Sequence, residues 1–249
     1  MAHDLIHFSS PAALAAEVAS RLSRRVLDVA ARGTGFRLAL SGGRISNDLF
    51  RAVTADAADP AVRRAWQCVD WYWADERCVP PDHADSNYRT AVELLLTPLG
   101  VASNHVHRIE GELDPGEAAR RASAAIRSST GVSPQSLPVL DLILLGMGED
   151  GHIASLFPGA AASLVASTEP FLSVVGPKPP PNRVTMSFAQ LAAGAEVWVL
   201  VSGSGKEIAL RNSICGGGIT PLGALLEVKT CAIFSSVALE GSVESRALC

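Results

Sequence analysis

Asp150 and His152 stand two residues apart in the stretch Gly146-Met147-Gly148-Glu149-Asp150-Gly151-His152. A carboxylate can orient an imidazole and stabilise its protonated form, and imidazole titrates near neutral pH, so this pair is suited to taking a proton from water. Gly146, Gly148 and Gly151 crowd the same stretch, and glycines let backbone amides approach a ligand closely. The plainer alternative is a strand-to-helix turn with an exposed aspartate and an incidental histidine. Other turns carry reactive types as well. Ser41-Gly42-Gly43-Arg44 and Ser202-Gly203-Ser204-Gly205-Lys206 set cations beside glycines, which suits a phosphate. Asp75-Glu76-Arg77 is a charged tip, and Arg183 stands at the start of Asn182–Ser187. Neither glycine turn is a complete P-loop or dinucleotide fingerprint. Asp150 and His152 have no further His or Cys at a zinc-like spacing nearby, so no metal site is expected.

These residues need elements to position them. Val139 to Leu145 is apolar except for Asp141, and an unalternating apolar run reads as a parallel strand buried on both faces. Phe36–Leu40, Val69–Ala74 and Val197–Val201 read the same way. These strands end at Gly146, Ser41, Asp75 and Ser202, and parallel strands end on one edge of their sheet. That edge gathers Gly42, Gly43, Arg44, Asp75, Arg77, Asp150, His152 and Lys206 around one crevice. Leu5–Phe8, Asn182–Ser187 and Thr230–Val237 read as further strands. Ser10-Pro11 starts a helix whose apolar face is Leu14, Val18, Leu22, Val26 and Val29. Helices are also predicted over Asn47–Val53, after the cap Asp85-Ser86-Asn87, over Gly116–Ser128 and over Glu207–Arg211. Gly131–Pro138 reads as a linker and Pro177–Pro181 as a rigid extended segment. Gly159-Ala160-Ala161 begins a loop or short helix. The chemistry implied is hydrolysis of, or proton abstraction from, a phosphorylated small molecule.

Composition narrows the class. Of 249 residues 48% are hydrophobic and 18% charged, with a net charge of -4, which suits a buried core and excludes a basic nucleic-acid binder. No apolar run reaches the ~20 residues needed to span a bilayer. Met1-Ala2-His3-Asp4 does not look like a signal peptide. The five cysteines include no Cys-x-x-Cys pair, so neither a zinc ribbon nor a disulfide framework is expected, and a cytoplasmic setting is.

Ser41-Gly42-Gly43, Ala74-Asp75-Glu76-Arg77-Cys78-Val79-Pro80, Asp85-Ser86-Asn87-Tyr88, the Gly146–Gly159 segment, Arg183-Val184-Thr185 and Gly203-x-x-Lys206 together resemble the 6-phosphogluconolactonase family, related to glucosamine-6-phosphate deaminases. The resemblance is clearest over residues 5–212. It implies a single α/β domain over 1–249, with a Rossmann-like, mostly parallel sheet flanked by helices. It also implies hydrolysis of 6-phospho-D-glucono-1,5-lactone without a cofactor or metal. The partner is then the small phosphosugar lactone, with no nucleic acid and no membrane, and a monomer is expected. By the same resemblance His152 activates water beside Asp150, and Arg77 holds the lactone end. Ser41, Gly42, Gly43, Arg44, Asp75, Gly148, Arg183 and Lys206 bind substrate, with Gly42, Gly43, Arg44, Arg183 and Lys206 on the phosphate. Ile45-Ser46 stand where the family has Thr-Pro, and no role carries over to residues 213–249. Two alternatives compete. A glucosamine-6-phosphate deaminase/isomerase shares the glycine turns, but Arg77 and Phe157 stand where those enzymes have Tyr and a carboxylate. A non-catalytic sugar-phosphate-binding regulator would use the same pocket without turnover.

Overall fold

The computed structural model describes residues 3–160, 164, 166–216 and 220–238. Among them six strands form one sheet: β1 (Asp4–His7), β2 (Phe36–Leu40), β3 (Val69–Trp73), β5 (Leu142–Gly146), β8 (Glu196–Val201) and β9 (Ala232–Ser235), in the order β1-β9-β8-β5-β2-β3. Every pairing in it is parallel. From β2 the chain steps outward to β3, then crosses back to β5 and continues to β8 and β9 the other way. The switch point therefore lies between β2 and β5, where open α/β sheets leave a crevice beyond the strand ends. β5 is apolar throughout, and β2 and β8 are apolar apart from Arg37 and Glu196, because both faces of the sheet are covered.

On one side lies α1 (Pro11–Ala31), started by Ser10, whose hydroxyl accepts the Ala13 N–H, and by Pro11 in the first turn. Leu14, Val18, Leu22 and Val26 form its buried face against α2 (Arg44–Asp56), as the spacing predicts. The chain then runs through α3 (Pro60–Ala65), α4 (Asn87–Ala91, extended by a π turn at Val92–Leu96), α5 (Pro115–Thr130), α6 (Phe188–Ala193), α7 (Glu207–Cys215) and α8 (Pro221–Val228). The outer edge of β3 is covered by the segment around His105–His107. His107 N–H donates to the Trp71 carbonyl, and Asp70 pairs with both histidines.

A second sheet, β4 (Asp75–Arg77), β7 (Asn182–Met186) and β6 (Phe171–Val175), is antiparallel and differs from expectation. The charged tip after β3 is itself a strand. It leaves the main sheet after Ala74, whose N–H still donates to Leu40 and whose carbonyl accepts from Met186. Residues 176–181 connect β6 to β7, closed by Gly176 N–H on the Pro181 carbonyl, so the proline-rich stretch is a hairpin loop rather than an extended spacer. The helix after the first glycine turn begins at Arg44, three residues before the position expected. Cys68, Cys78 and Cys231 are free, whereas Cys215 is disulfide-bonded, although the sequence suggested no disulfide framework. The expectation at Ala161 lies outside the described residues. No helix among those described is long and apolar enough to cross a membrane.

Candidate active site

The switch-point crevice is an open cleft with a cavity volume of about 140 Å³. Its walls include Ser41, Gly42, Gly43 and Arg44 from the β2 turn and Asp75 and Arg77 from β4. Gly148 and His152 come from the β5 loop, Arg183 from β7 and Lys206 from the β8 turn. The structure thus brings together every residue singled out from the sequence except Asp150, which stands just behind His152.

The β5 loop closes on itself. Gly148 N–H donates to the His152 carbonyl, and Gly151 N–H to the Gly148 carbonyl. Asp150 Oδ1 accepts the backbone N–H of His152 and meets its ring Nδ1 at 2.5 Å. With Nδ1–H assigned to that carboxylate by the hydrogen-bond network, Nε2 is left as the basic nitrogen. Burial pushes the Asp150 carboxyl upward, but the hydrogen bonds from His152 prevail and hold it below the usual range. Gly148 lies directly under the ring: a Cβ there would sit 2.1 Å from both Cε1 and Nδ1 of His152. The Phe157 ring packs on the imidazole at 4.8 Å, and the Arg183 guanidinium lies over Phe157 at 5.5 Å. Gly151, at φ +81°, packs against Thr220, so the start of α8 buttresses the loop. That gives residues after 213 a supporting role that the sequence did not reveal.

Two helices start at the cleft without a side-chain cap: α2 at Gly43 and α7 at Lys206. The other labelled helices are capped by Ser10, Asp59, Ser86, Asp114, Ser187 and Thr220. Uncapped first-turn amides, with the positive end of the helix dipole, favour an anion. Gly43 (φ +108°) makes the turn into α2 in a backbone conformation that a side chain would strain.

Four cations line this space, and none has a carboxylate partner within salt-bridge distance among the described residues. Arg77 and Arg183 are register partners on β4 and β7. Burial, then repulsion from Arg77, lowers the affinity of Arg183 for its proton. Its Nε and Nη2 donate to the carbonyls of Pro180 and Lys178, which fixes it against the hairpin loop. Lys206 is likewise pushed down, by burial and then by Arg44, and donates to the Met147 carbonyl at 2.6 Å. Cations held near one another without counter-charges are stabilised by an incoming anion.

The two neighbouring carboxylates serve a different purpose. Asp75 is 3% exposed, and its oxygens accept from Ser41 (3.4 Å) and Ser155 (2.7 Å). It lines the cleft but ties the β2 turn to the β5 loop. Glu76, 2% exposed, accepts the N–H groups of Arg77, Asn87 and Tyr88 and the Ser86 hydroxyl. Burial still pushes the Glu76 carboxyl up against those bonds. No group of three or more His, Cys, Asp or Glu among the described residues is arranged to hold a metal ion. Asn87 also reaches the cleft, a position the sequence marked only as part of a helix cap. Its signal was present in the Ser-Asn that follows Asp75-Glu76-Arg77.

Fold and site define an α/β protein whose cleft sets four cations and two uncapped helix starts next to an acid–imidazole pair. The chain belongs to the glucosamine-6-phosphate isomerase/6-phosphogluconolactonase family, whose model matches residues 9–229. A 6-phosphogluconolactonase of Rattus norvegicus is 36% identical over 211 residues, covering 82% of this chain and 79% of the relative. A probable chloroplastic 6-phosphogluconolactonase 3 of Oryza sativa subsp. indica is 35% identical over 217 residues. That match covers 84% of this chain, which spans only 65% of the rice protein's length. The solved 6-phosphogluconolactonase from Trypanosoma cruzi superposes with a TM-score of 0.82 at 23% identity, covering 97% of this chain and 98% of that one, and shows the same fold.

Proposed function

We propose that this chain, a single α/β domain, hydrolyses 6-phospho-D-glucono-1,5-lactone to 6-phosphogluconate. The observation that carries the reading is the meeting, in one cleft, of a free imidazole nitrogen backed by Asp150 with four cations that lack carboxylate partners. The sequence relatives carry that activity in their names.

The phosphate dianion sits against the uncapped turns at Gly42-Gly43 and Lys206, gripped by Arg44 and Lys206 and joined by Arg183 from the facing hairpin. This remote grip orients the ester, since binding energy away from the reacting carbon restricts it to attack geometry. His152 Nε2 takes a proton from water as the water oxygen attacks the lactone carbonyl carbon. The carbonyl oxygen becomes an oxyanion facing Arg77. The ring C–O bond then breaks, and the ring oxygen leaves as a hydroxyl with the proton returned by His152. Asp150 stabilises the imidazolium between the two transfers.

Fresh 6-phosphogluconolactone should release acid far faster with the protein than without it. Ammonia release from glucosamine 6-phosphate would show a deaminase instead. Binding of 6-phosphogluconate without turnover would show a regulator.

A further inference from the structure

Gly42 was read as a phosphate contact, but its lack of a side chain has a second cause. A Cβ at Gly42 would lie 2.0 Å from Asn87 Oδ1 and 2.6 Å from Asn87 Cγ. Glycine at this position admits the Asn87 carboxamide onto the floor of the cleft. That carboxamide is held from several directions. Nδ2 donates to the Asp75 carbonyl at 3.0 Å, and the backbone N–H donates to Glu76 Oε1 at 2.8 Å. The residue is 5% exposed and opens α4, immediately after the Ser86 cap. The bond to Asp75 sets which way the amide faces: nitrogen toward β4, oxygen toward the cleft. Oδ1 has no hydrogen-bond partner among the described residues, yet it is not among the buried polar atoms left without one. It is open to the cleft.

A neutral carboxamide oxygen is an acceptor only. It has nothing to offer a phosphate or carboxylate, which bring no proton, and much to offer a hydroxyl. The four cations satisfy the charged end of a sugar phosphate but cannot accept from its hydroxyls. The Asp75 carboxylate, which also lines the cleft, already accepts one hydrogen bond on each oxygen, from Ser41 and Ser155. We propose that Asn87 Oδ1 accepts a hydrogen bond from one ring hydroxyl of the substrate and so contributes to specificity for a polyhydroxylated sugar phosphate. This rests on the lactonase reading of the site.

The test compares the parent and Asn87→Ala on 6-phosphogluconolactone and its 2-, 3- and 4-deoxy analogues. Loss of one neutral hydrogen bond reduces kcat/KM about 2- to 13-fold. The parent should lose that much on one analogue, and Asn87→Ala should show no loss on the same analogue. Equal losses by parent and variant on all three analogues overturn the assignment while leaving lactonase activity standing. A parent inactive on every lactone overturns the lactonase reading and this inference with it. Should Asn87→Ala fail to fold, a crystal structure of the parent with 6-phosphogluconate decides. A sugar hydroxyl within hydrogen-bond distance of Asn87 Oδ1 supports the assignment, and a carboxamide with no hydroxyl in reach overturns it.

Discussion

One methyl group placed under the imidazole separates chemistry from binding. Gly148 does not adopt a left-handed conformation, so alanine is conformationally acceptable there and the effect of Gly148→Ala is a collision. The new Cβ would meet His152 Cε1 and Nδ1 at 2.1 Å and Asp150 Oδ1 at 2.9 Å. To regain the ~3.5 Å of an ordinary carbon contact the ring must retreat by about 1.4 Å. That movement pulls Nδ1 from the carboxylate it now meets at 2.5 Å and carries Nε2 away from the attacking water. Misplacement of a reacting group by about 1 Å costs roughly 10²-fold in rate, so kcat should fall by about that factor. The phosphate contacts belong to other turns, so the inhibition constant of 6-phosphogluconate should stay within about twofold of the parent. Acid release from fresh lactone, corrected for spontaneous hydrolysis, gives kcat, and a thermal melt shows that the fold persists. A Gly148→Ala enzyme keeping more than about half of parent kcat would refute the reasoning.

Lys206→Ala removes a charged donor from the anion site and should raise KM by about 10- to 100-fold while lowering kcat less; steady-state kinetics decide. Glu76→Gln turns an amide NH₂ toward donors now held by carboxylate oxygens and leaves one buried donor unpaired. The melting temperature should drop by about 2–12 °C. Because burial raises the folded-state pKa of Glu76, the folded chain holds this proton more tightly than the unfolded one. Stability from this group is full below the ordinary glutamate range and is lost as pH rises through the raised value. Melting curves across that window should show a shallower decline with rising pH in Glu76→Gln than in the parent.

Much of the main sheet was legible because its central strands are largely apolar runs that stop at glycine or charged turns. The crevice followed from topology once those ends were placed on one edge. The second sheet was not legible. Asp75-Glu76-Arg77 has no apolar alternation, and its partner on β7 is more than a hundred residues away, so nothing local marks it as a strand. Phe171–Val175, a largely apolar run between Pro170 and Gly176-Pro177, carried the turn signals of a strand and was passed over. Asp75 and Glu76 carried the right types for chemistry, yet their oxygens serve hydrogen bonds that only tertiary contact reveals. Asn87 passed as part of a cap because its contact with Gly42 spans two turns far apart in sequence. The helix at Arg44 begins earlier than expected because Gly43 starts it without a capping side chain.

Turnover of fresh 6-phosphogluconolactone by the parent, His152→Ala and Asp150→Asn, measured beside the affinity of each for 6-phosphogluconate, tests the central claim most directly. Loss of a positioned base removes roughly 10²–10⁴-fold of rate, so His152→Ala should fall by that factor with product affinity intact. Asp150→Asn should lose less, since it weakens the hold on Nδ1 without removing Nε2. A His152→Ala enzyme retaining more than about a tenth of parent kcat, after subtraction of spontaneous hydrolysis, would contradict the assignment of His152 as the base.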